Sequence, residues 1–440
     1  MDRRVTVLSF NIALGGDVVD LAGVVEVIRR SGAMVAGLQE CGGNASRIAS
    51  LLGWAHFDER SQIVSSVPLM PLPDPGTVLV QPAPGEVFAL GNVHLPSDPY
   101  GPYLLRDGAY TTDTVALEVD LRLAALESHV PTWRRWIDSG TPMVVTGDFN
   151  APSHRDWGEG AGGHRTAAVE WPVSLAAERL GLVDTYRHAN PGRPGITWTH
   201  GFPYPRVDPN ELRDRIDFVW AAGAEVVSSR ILGPSGAPDV DIAVDPWPSD
   251  HLGVATELEL TPVEPPLMVA PLKTRYERGE RITVRFHAGR SDRISLTRQG
   301  TELAWLPPME ADRFGSVAFG TATLDPGEYL ISLVSGNETI DRQLVWVVEP
   351  GMLASLSASA AGDAITVTWD AAPARAFDWI GIYRSGDPDL YHGAVDQIHT
   401  GATVTGSQHF TGIAAGRYTV RLFTDNSCVV LAQTEVQVPG

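Results

Sequence analysis

Residues 143–150 read MVVTGDFN, an apolar run that ends in a carboxylate, Asp148, and a carboxamide, Asn150. A buried strand needs a reason to end this way, because a carboxylate away from water must be paired or bound. The pattern recurs in the first 260 residues. Asn11 follows Leu8-Ser9-Phe10, Glu40 follows Gly37-Leu38-Gln39, and His94 closes Gly91-Asn92-Val93. Asp217 lies between Ile216 and Phe218, and Ser249-Asp250-His251 puts a carboxylate and an imidazole in one turn. Carboxylates and carboxamides are hard oxygen donors suited to Mg²⁺ or Mn²⁺. Histidines transfer protons near neutral pH. Water attack on a phosphodiester needs these parts: a cation for the phosphoryl oxygens, a base for the water and an acid for the leaving oxygen. Taken singly, Glu40 reads as a solvated turn or cap, Asp148-Phe149-Asn150 as an Asx turn, and His94 as a structural histidine. Six such elements in one order make the chemical reading.

The elements that must carry these residues alternate in type. VTVLSFNI, AMVAGLQE, VFALGNVHL, MVVTGDFN, RIDFVWA and VATELEL read as strands. Residues 18–30, ASRIASLLGW, 114–138 and SLAAERLG have helical spacing. The interleaving lacks the regular repetition of a doubly wound parallel sheet. It predicts an α/β sandwich, two mixed β-sheets flanked by helices, over residues 1–261. The proline-rich stretch TPVEPPLMVAPLK then reads as a linker. Beyond it the helical pattern ends and short strands follow at turn-punctuated spacing. Ile282-Thr283-Val284 matches Ile365-Thr366-Val367, and PGEYLISL at 326–333 resembles AGRYTVRL at 415–422. This weak repeat predicts two all-β immunoglobulin-like sandwiches, 262–350 and 351–440.

In order, SFNI, LQE, NVHL, GDFN, RIDFVW and SDH resemble the endonuclease/exonuclease/phosphatase family, the fold of pancreatic-type deoxyribonuclease, the inositol-polyphosphate 5-phosphatases and the neutral sphingomyelinases. The resemblance covers about residues 4–260. It implies Glu40 as the principal Mg²⁺ (or Mn²⁺) ligand, with Asn11 beside it and Asp250 close to the metal. It implies Asp148 and Asn150 as the groups that position water and a phosphate oxygen. His251 becomes the general base, oriented by Asp217 through its other ring nitrogen, and His94 contacts the phosphate and assists the leaving group. The NxHL form is closer to the deoxyribonuclease, 5-phosphatase and sphingomyelinase branches than to the apurinic-endonuclease branch.

LPSDPYGPYLLRDG follows His94 directly. Tyr100, Tyr103 and Arg106 are candidates for a wall that stacks on a base, a sugar or a choline-like head, with Arg106 on phosphate; the alternative is a loop packed by its own tyrosines. Trp198 is a fourth candidate, or a core residue. His154, Arg155 and Trp157 follow Asn150 closely, and Arg155 either offsets the acidic surround or caps a helix.

The formal net charge is −20, and 19 basic against 33 acidic residues put −14 of it in the first 260. Such a surface repels polyanions. The expected activity is therefore hydrolysis of a small, lipid-head-group or glycan phosphodiester, diester before monoester. A nuclease is the alternative, nucleic acid being possible but not favoured. A binding or adhesion protein on an inactive hydrolase core is the reading of another class. The sandwiches are expected to serve as passive spacers or to bind glycan, surface or protein. Cys41 and Cys428 fall in different predicted domains and show no zinc spacing. No signal segment or membrane-length apolar run is present, so the chain as given reads as cytoplasmic without stable membrane insertion; the tandem sandwiches favour export as the alternative.

Overall fold

The computed structural model describes residues 3–16, 20–74, 76–158, 168–198, 212–307, 313–387, 393–424 and 429–440. Cys428 lies outside them, and Cys41 is buried. They divide into two compact units: 1–57, 62–69 and 76–263, and 58–61, 70–75 and 264–440.

In the first unit the apolar runs become, among the described residues, thirteen strands: β1 (Arg3–Asn11), β2 (Val35–Gln39), β3 (His56–Asp58), β4 (Ile63–Ser65), β5 (Leu69–Pro71), β6 (Thr77–Ala83), β7 (Glu86–His94), β8 (Met143–Asp148), β9 (Val183–Asp184), β10 (Asp217–Ala222), β11 (Ala224–Gly233), β12 (Ile242–Ala243) and β13 (Gly253–Leu260). They form a seven-stranded sheet, β12-β11-β13-β1-β2-β4-β3, and a six-stranded sheet, β5-β6-β7-β8-β10-β9. Both are mixed. β1 runs parallel to β2 but antiparallel to β13, and β7 runs parallel to β8 while β10 is antiparallel. The inner faces share one core, with Val5, Val7, Val35 and Val254 from one sheet against Val78, Phe88, Val144 and Val219 from the other.

Helix α1 (Leu21–Ser31) starts where Asp20 accepts from the Ala22 N–H and stops at Gly32 in the left-handed conformation. Its Leu21, Val24, Val25 and Ile28 are buried, the stripe that the sequence spacing requires. α2 (Ala45–Leu52) ends in the same way at Gly53. The expected helix over 114–138 is broken into α4 (Thr111–Glu118), a π-turn at Val119–Leu123, α5 (Ala124–Glu127) and α6 (Val130–Asp138), preceded by α3 (Gly101–Arg106). α7 (Pro172–Arg179) and α8 (Thr185–Ala189) complete the unit.

One polar layer ties the two sheets together. Gln39 Nε2 and Thr146 Oγ1 both donate to Asn92 Oδ1, at 2.7 and 2.9 Å, and the Gly147 N–H donates to Ser9 Oγ at 2.9 Å. Gly37 makes this approach possible, since a Cβ there would lie 2.0 Å from Thr146 Oγ1.

The second unit contains two sandwiches. In the first, Met268–Pro271, Arg281–His287 and Phe314–Gly320 form a three-stranded sheet that shares a core with a five-stranded one. In the second, a three-stranded sheet centred on Ala364–Asp370 shares a core with a four-stranded one containing Trp379–Arg384 and Gly416–Phe423. Among the described residues, the strands of this unit pair antiparallel except for Arg275–Glu277 with Glu338–Val348, beside which Arg278 and Glu280 form a parallel bridge. The sequence repeat maps onto equivalent places. Ile282–Val284 and Ile365–Val367 lie in the central strands of the two small sheets, and Tyr329 and Tyr418 lie in inner strands of the two large ones. Tyr329 donates to the Asp325 carbonyl at 2.6 Å, and Tyr418 to the Ala414 carbonyl at 2.7 Å.

Candidate active site

Strand pairing assembles the site. Within the six-stranded sheet His94 is in register with Asp148, and Asp148 with Asp217, so three neighbouring strands present their polar ends in one row. Across the core, Asn11 is in register with Gln39, which places Glu40 just beyond the end of β2. Both sheets therefore end in polar groups at one rim. Glu40 and Asn150 adopt positive φ of 55° and 48°, conformations unusual for residues with side chains and common at functional rims.

The distances join the two rows. Asn11 Nδ2 donates to Asp148 Oδ2 at 3.0 Å and reaches Glu40 Oε1 at 3.3 Å. Asn11 Oδ1 accepts from the Ala13 N–H at 3.0 Å, so the amide nitrogen faces the carboxylates and bridges them; the oxygen keeps a second lone pair. Glu40 Oε2 accepts from the Leu14 N–H at 2.9 Å. Asn150 caps the turn, its N–H donating to Asp148 Oδ1 at 2.9 Å and its side chain to the Leu95 carbonyl at 3.0 Å. His94 Nε2 and His251 Nε2 stand 3.6 and 3.7 Å from Asp148 Oδ2. His251 Nδ1 lies 3.0 Å from Asp217 Oδ2. Ser249, which sequence reading passed over, donates to the Asn11 carbonyl at 2.7 Å and accepts from the His251 N–H, so the 249–251 turn is fastened to the end of β1. Thr197 is a second such support, its Oγ1 accepting from the N–H groups of Ile216 and Asp217 at 3.1 Å. Asp250, in the same turn, is half-buried.

These groups set each other's charge. Burial pushes Asp217 up to about 6, with the His251 charge pulling down and Asp148 pushing up. Burial opposes a charge on His251, but Asp217 and Asp148 outweigh it and hold the imidazole well above its ordinary pKa. Among the described residues no lysine or arginine pairs with Glu40, Asp148, Asp217 or Asp250. Acid concentrated without fixed positive charge calls for a bound cation. One atom each of Asp148, Asp217 and His251 lies within 4.8 Å of the other two, a set able to hold a divalent ion. Glu40 adjoins it through Asn11, whose amide nitrogen reaches both Glu40 Oε1 and Asp148 Oδ2, and the Asp250 charge acts on His251.

The substrate candidates behave differently from one another. Tyr103 and Trp198 are half-buried, with ring centroids 5.9 Å apart, and the Trp198 ring is 6.4 Å from that of His251. Tyr100 is buried, 6% exposed, so its ring is packed into the protein instead of forming an open wall. Its hydroxyl is the reason: it donates to Asp214 Oδ2 at 2.9 Å. Arg106 is exposed, pairs with Asp107 at 2.8 Å and stacks 4.5 Å over Tyr103. His154 Nδ1 is 2.9 Å from Ser174 Oγ, Arg155 pairs with Glu178, and Trp157 is buried, so these three support the turn after Asn150.

The sequence profile of the endonuclease/exonuclease/phosphatase family matches residues 8–251, and the chain belongs to that family. An uncharacterised protein of Caenorhabditis elegans is 32% identical over 142 residues, 29% of this chain and 44% of that protein. The chain therefore spans less than half the length of the curated relative it matches. Among solved structures, an endonuclease/exonuclease/phosphatase from Beutenbergia cavernae aligns over 99% of this chain and 100% of its own, with 17% identity and a TM-score of 0.40. TDP2 of C. elegans aligns over 58% of this chain and 75% of its own, with 16% identity and a TM-score of 0.36.

Proposed function

We propose that the chain is a divalent-metal-dependent phosphodiesterase acting on a small, lipid-head-group or glycan phosphodiester. The observation that carries this reading is the convergence of Glu40, Asn11, Asp148, Asp217, His94 and His251 from both sheets onto one rim. Asp217 holds the His251 Nδ1–H, which turns a neutral Nε2 toward the cleft. From there His251 takes a proton from the attacking water. Asp148 and Asn150 hold that water and a phosphoryl oxygen in line, the water accepting no more than one geometry between two fixed groups. His94, on the other side of Asp148, donates to the phosphate and to the departing oxygen. Glu40 and Asp250, with Asn11 beside them, would hold Mg²⁺ or Mn²⁺, whose contribution when bound is neutralisation of charge on the phosphoryl oxygens. The negative net charge supports a compact substrate over a nucleic acid polyanion.

In the same reading residues 262–350 and 351–440 are immunoglobulin-like domains that bind glycan, surface or protein. The support is the pair of tyrosines, Tyr329 and Tyr418, each closing on a carbonyl four residues upstream.

The test is release of nitrophenol from bis(p-nitrophenyl) phosphate with Mg²⁺, Mn²⁺ or chelator, beside the Glu40→Ala protein. Metal-dependent turnover that the substitution removes is expected. Turnover that survives chelation and Glu40→Ala alike would overturn the assignment.

A further inference from the structure

We infer that Asp214 is a positioning residue for substrate selection. Through Tyr100 it fixes Tyr103 and Trp198 as a preformed aromatic wall that favours a diester bearing a flat ring. The inference rests on the reading of this cleft as the phosphodiester site.

Asp214 is 1% exposed. A buried carboxylate of this kind holds something in place. It accepts from the Tyr100 hydroxyl at 2.9 Å and from Trp157 Nε1 at 3.0 Å. Its carbonyl accepts from the N–H groups of Thr197 and Trp198, both at 3.1 Å. Trp198 in turn bridges to His251 on the other side, and the Leu252 N–H donates to the Thr197 carbonyl at 2.7 Å. Asp214 therefore grips Tyr100 by its side chain and Trp198 by its backbone. The rings follow. Tyr100 packs edge-on against both Tyr103 and Trp198, with centroids 5.0 and 5.2 Å away. Tyr100 is the buried keystone, and Tyr103 and Trp198 are the half-exposed faces. Arg106 already stacks on Tyr103 at 4.5 Å, an internal example of a planar group on that face.

The loop that carries Tyr100 is secured independently. Arg122, in the π-turn, donates to the carbonyls of Ser97 and Pro99 at 2.7 and 2.9 Å and pairs with Glu118 at 2.7 Å, both side chains being fully buried. Gly101 passes so close to this pair that a Cβ would lie 2.5 Å from Glu118 Oε1. The wall thus stands before substrate arrives, and stacking on it costs little ordering entropy.

The experiment separates binding from turnover. Calorimetry with Mg²⁺ measures Kd for diphenylphosphinate and dimethylphosphinate, anions with no ester bond to cleave, on the full chain and on its Asp214→Asn and Tyr100→Phe variants. The natural chain should bind the diphenyl anion roughly five- to tenfold tighter, and both variants should lose that preference while keeping their affinity for the dimethyl anion. With bis(p-nitrophenyl) phosphate the variants should raise KM by a similar factor and leave kcat within about twofold. An aryl preference that is absent from the natural chain, or unchanged in both variants, overturns the inference. So does an equal loss of both anions, the mark of a merely structural role. Absence of turnover alongside an aryl preference that depends on Asp214 would instead refute the phosphodiesterase reading and leave the wall standing.

Discussion

At the scale of single residues, His251 carries the sharpest expectations. His251→Ala should lower kcat by about 10²- to 10⁴-fold in a folded protein, measured by steady-state turnover. The pH profile tests its partner. A base must be neutral, and burial is outweighed by Asp217 and Asp148, which raise the His251 pKa. Activity should therefore climb with pH through that raised value and then level off. Asp217→Asn removes one of the two charges that favour the protonated ring. The acid limb of the kcat/KM profile should then move to lower pH by roughly 1 to 3 units, while kcat falls because the tautomer is no longer fixed. A limb that stays in place would assign the ionisation elsewhere. The chemical groups were legible in the sequence because each interrupts or closes an apolar run. Ser249, Thr197 and Asp214 were not. Their roles come from hydrogen bonds to groups far away in the chain, and nothing in a short window of sequence distinguishes them from ordinary turn residues.

At the scale of elements, the π-turn at Val119–Leu123 explains why the long helical pattern was read correctly in kind but not in detail. Helical spacing follows the buried Leu126, Trp133 and Trp136, yet it offers no sign that Glu118 and Arg122 point inward as well. Charged residues at such spacing ordinarily face water. Here they replace apolar contacts with a clamp on the loop after His94. Burial pushes the Glu118 carboxyl up to about 7, against the pull of Arg122 and of the Gly101 N–H. Breaking the pair should be costly. Arg122→Met should destabilise the unit by about 3–5 kcal/mol, because it leaves Glu118 buried alone. Adding Glu118→Leu should recover much of that loss in denaturant unfolding, although the aromatic wall it secures should not return. In the sandwiches, Tyr329→Phe and Tyr418→Phe should each cost about 1 kcal/mol, read from the unfolding transition of the sandwich concerned. Strand existence was well read there because alternation is a strong signal. The exposed Thr301–Leu306 escaped because it does not alternate apolar with polar, and Ser355–Ala361 because its alternation sets serine mostly against alanine, a weak apolar contrast.

At the scale of the whole molecule, charge and core make separate statements. The net −20 is spread over a surface that must discourage polyanions, so a duplex of about 30 base pairs should give no mobility shift at about 10 µM protein in physiological salt. A clear shift that weakens steeply with salt would reopen the nuclease reading. Among the described residues no helix is long and apolar enough to cross a membrane. The general architecture was visible in the order of strand and helix patterns. The register that aligns His94, Asp148 and Asp217 was not, because pairing between strands far apart in the chain leaves no mark in either strand alone.

That pairing also bears on how the protein is made. β1 lies between β2 and β13, and the Asn11 carbonyl is fastened by Ser249, 238 residues later. A ribosome adding roughly 5–20 residues per second needs on the order of ten seconds or more to supply the missing neighbour. Until then the first strand has an open edge, and the rim holds Asn11 and Glu40 without His251. The nascent chain therefore waits with an unfinished sheet, in need of protection from pairing with the wrong strand, and its rim is complete only when the seam between β1 and β13 has closed.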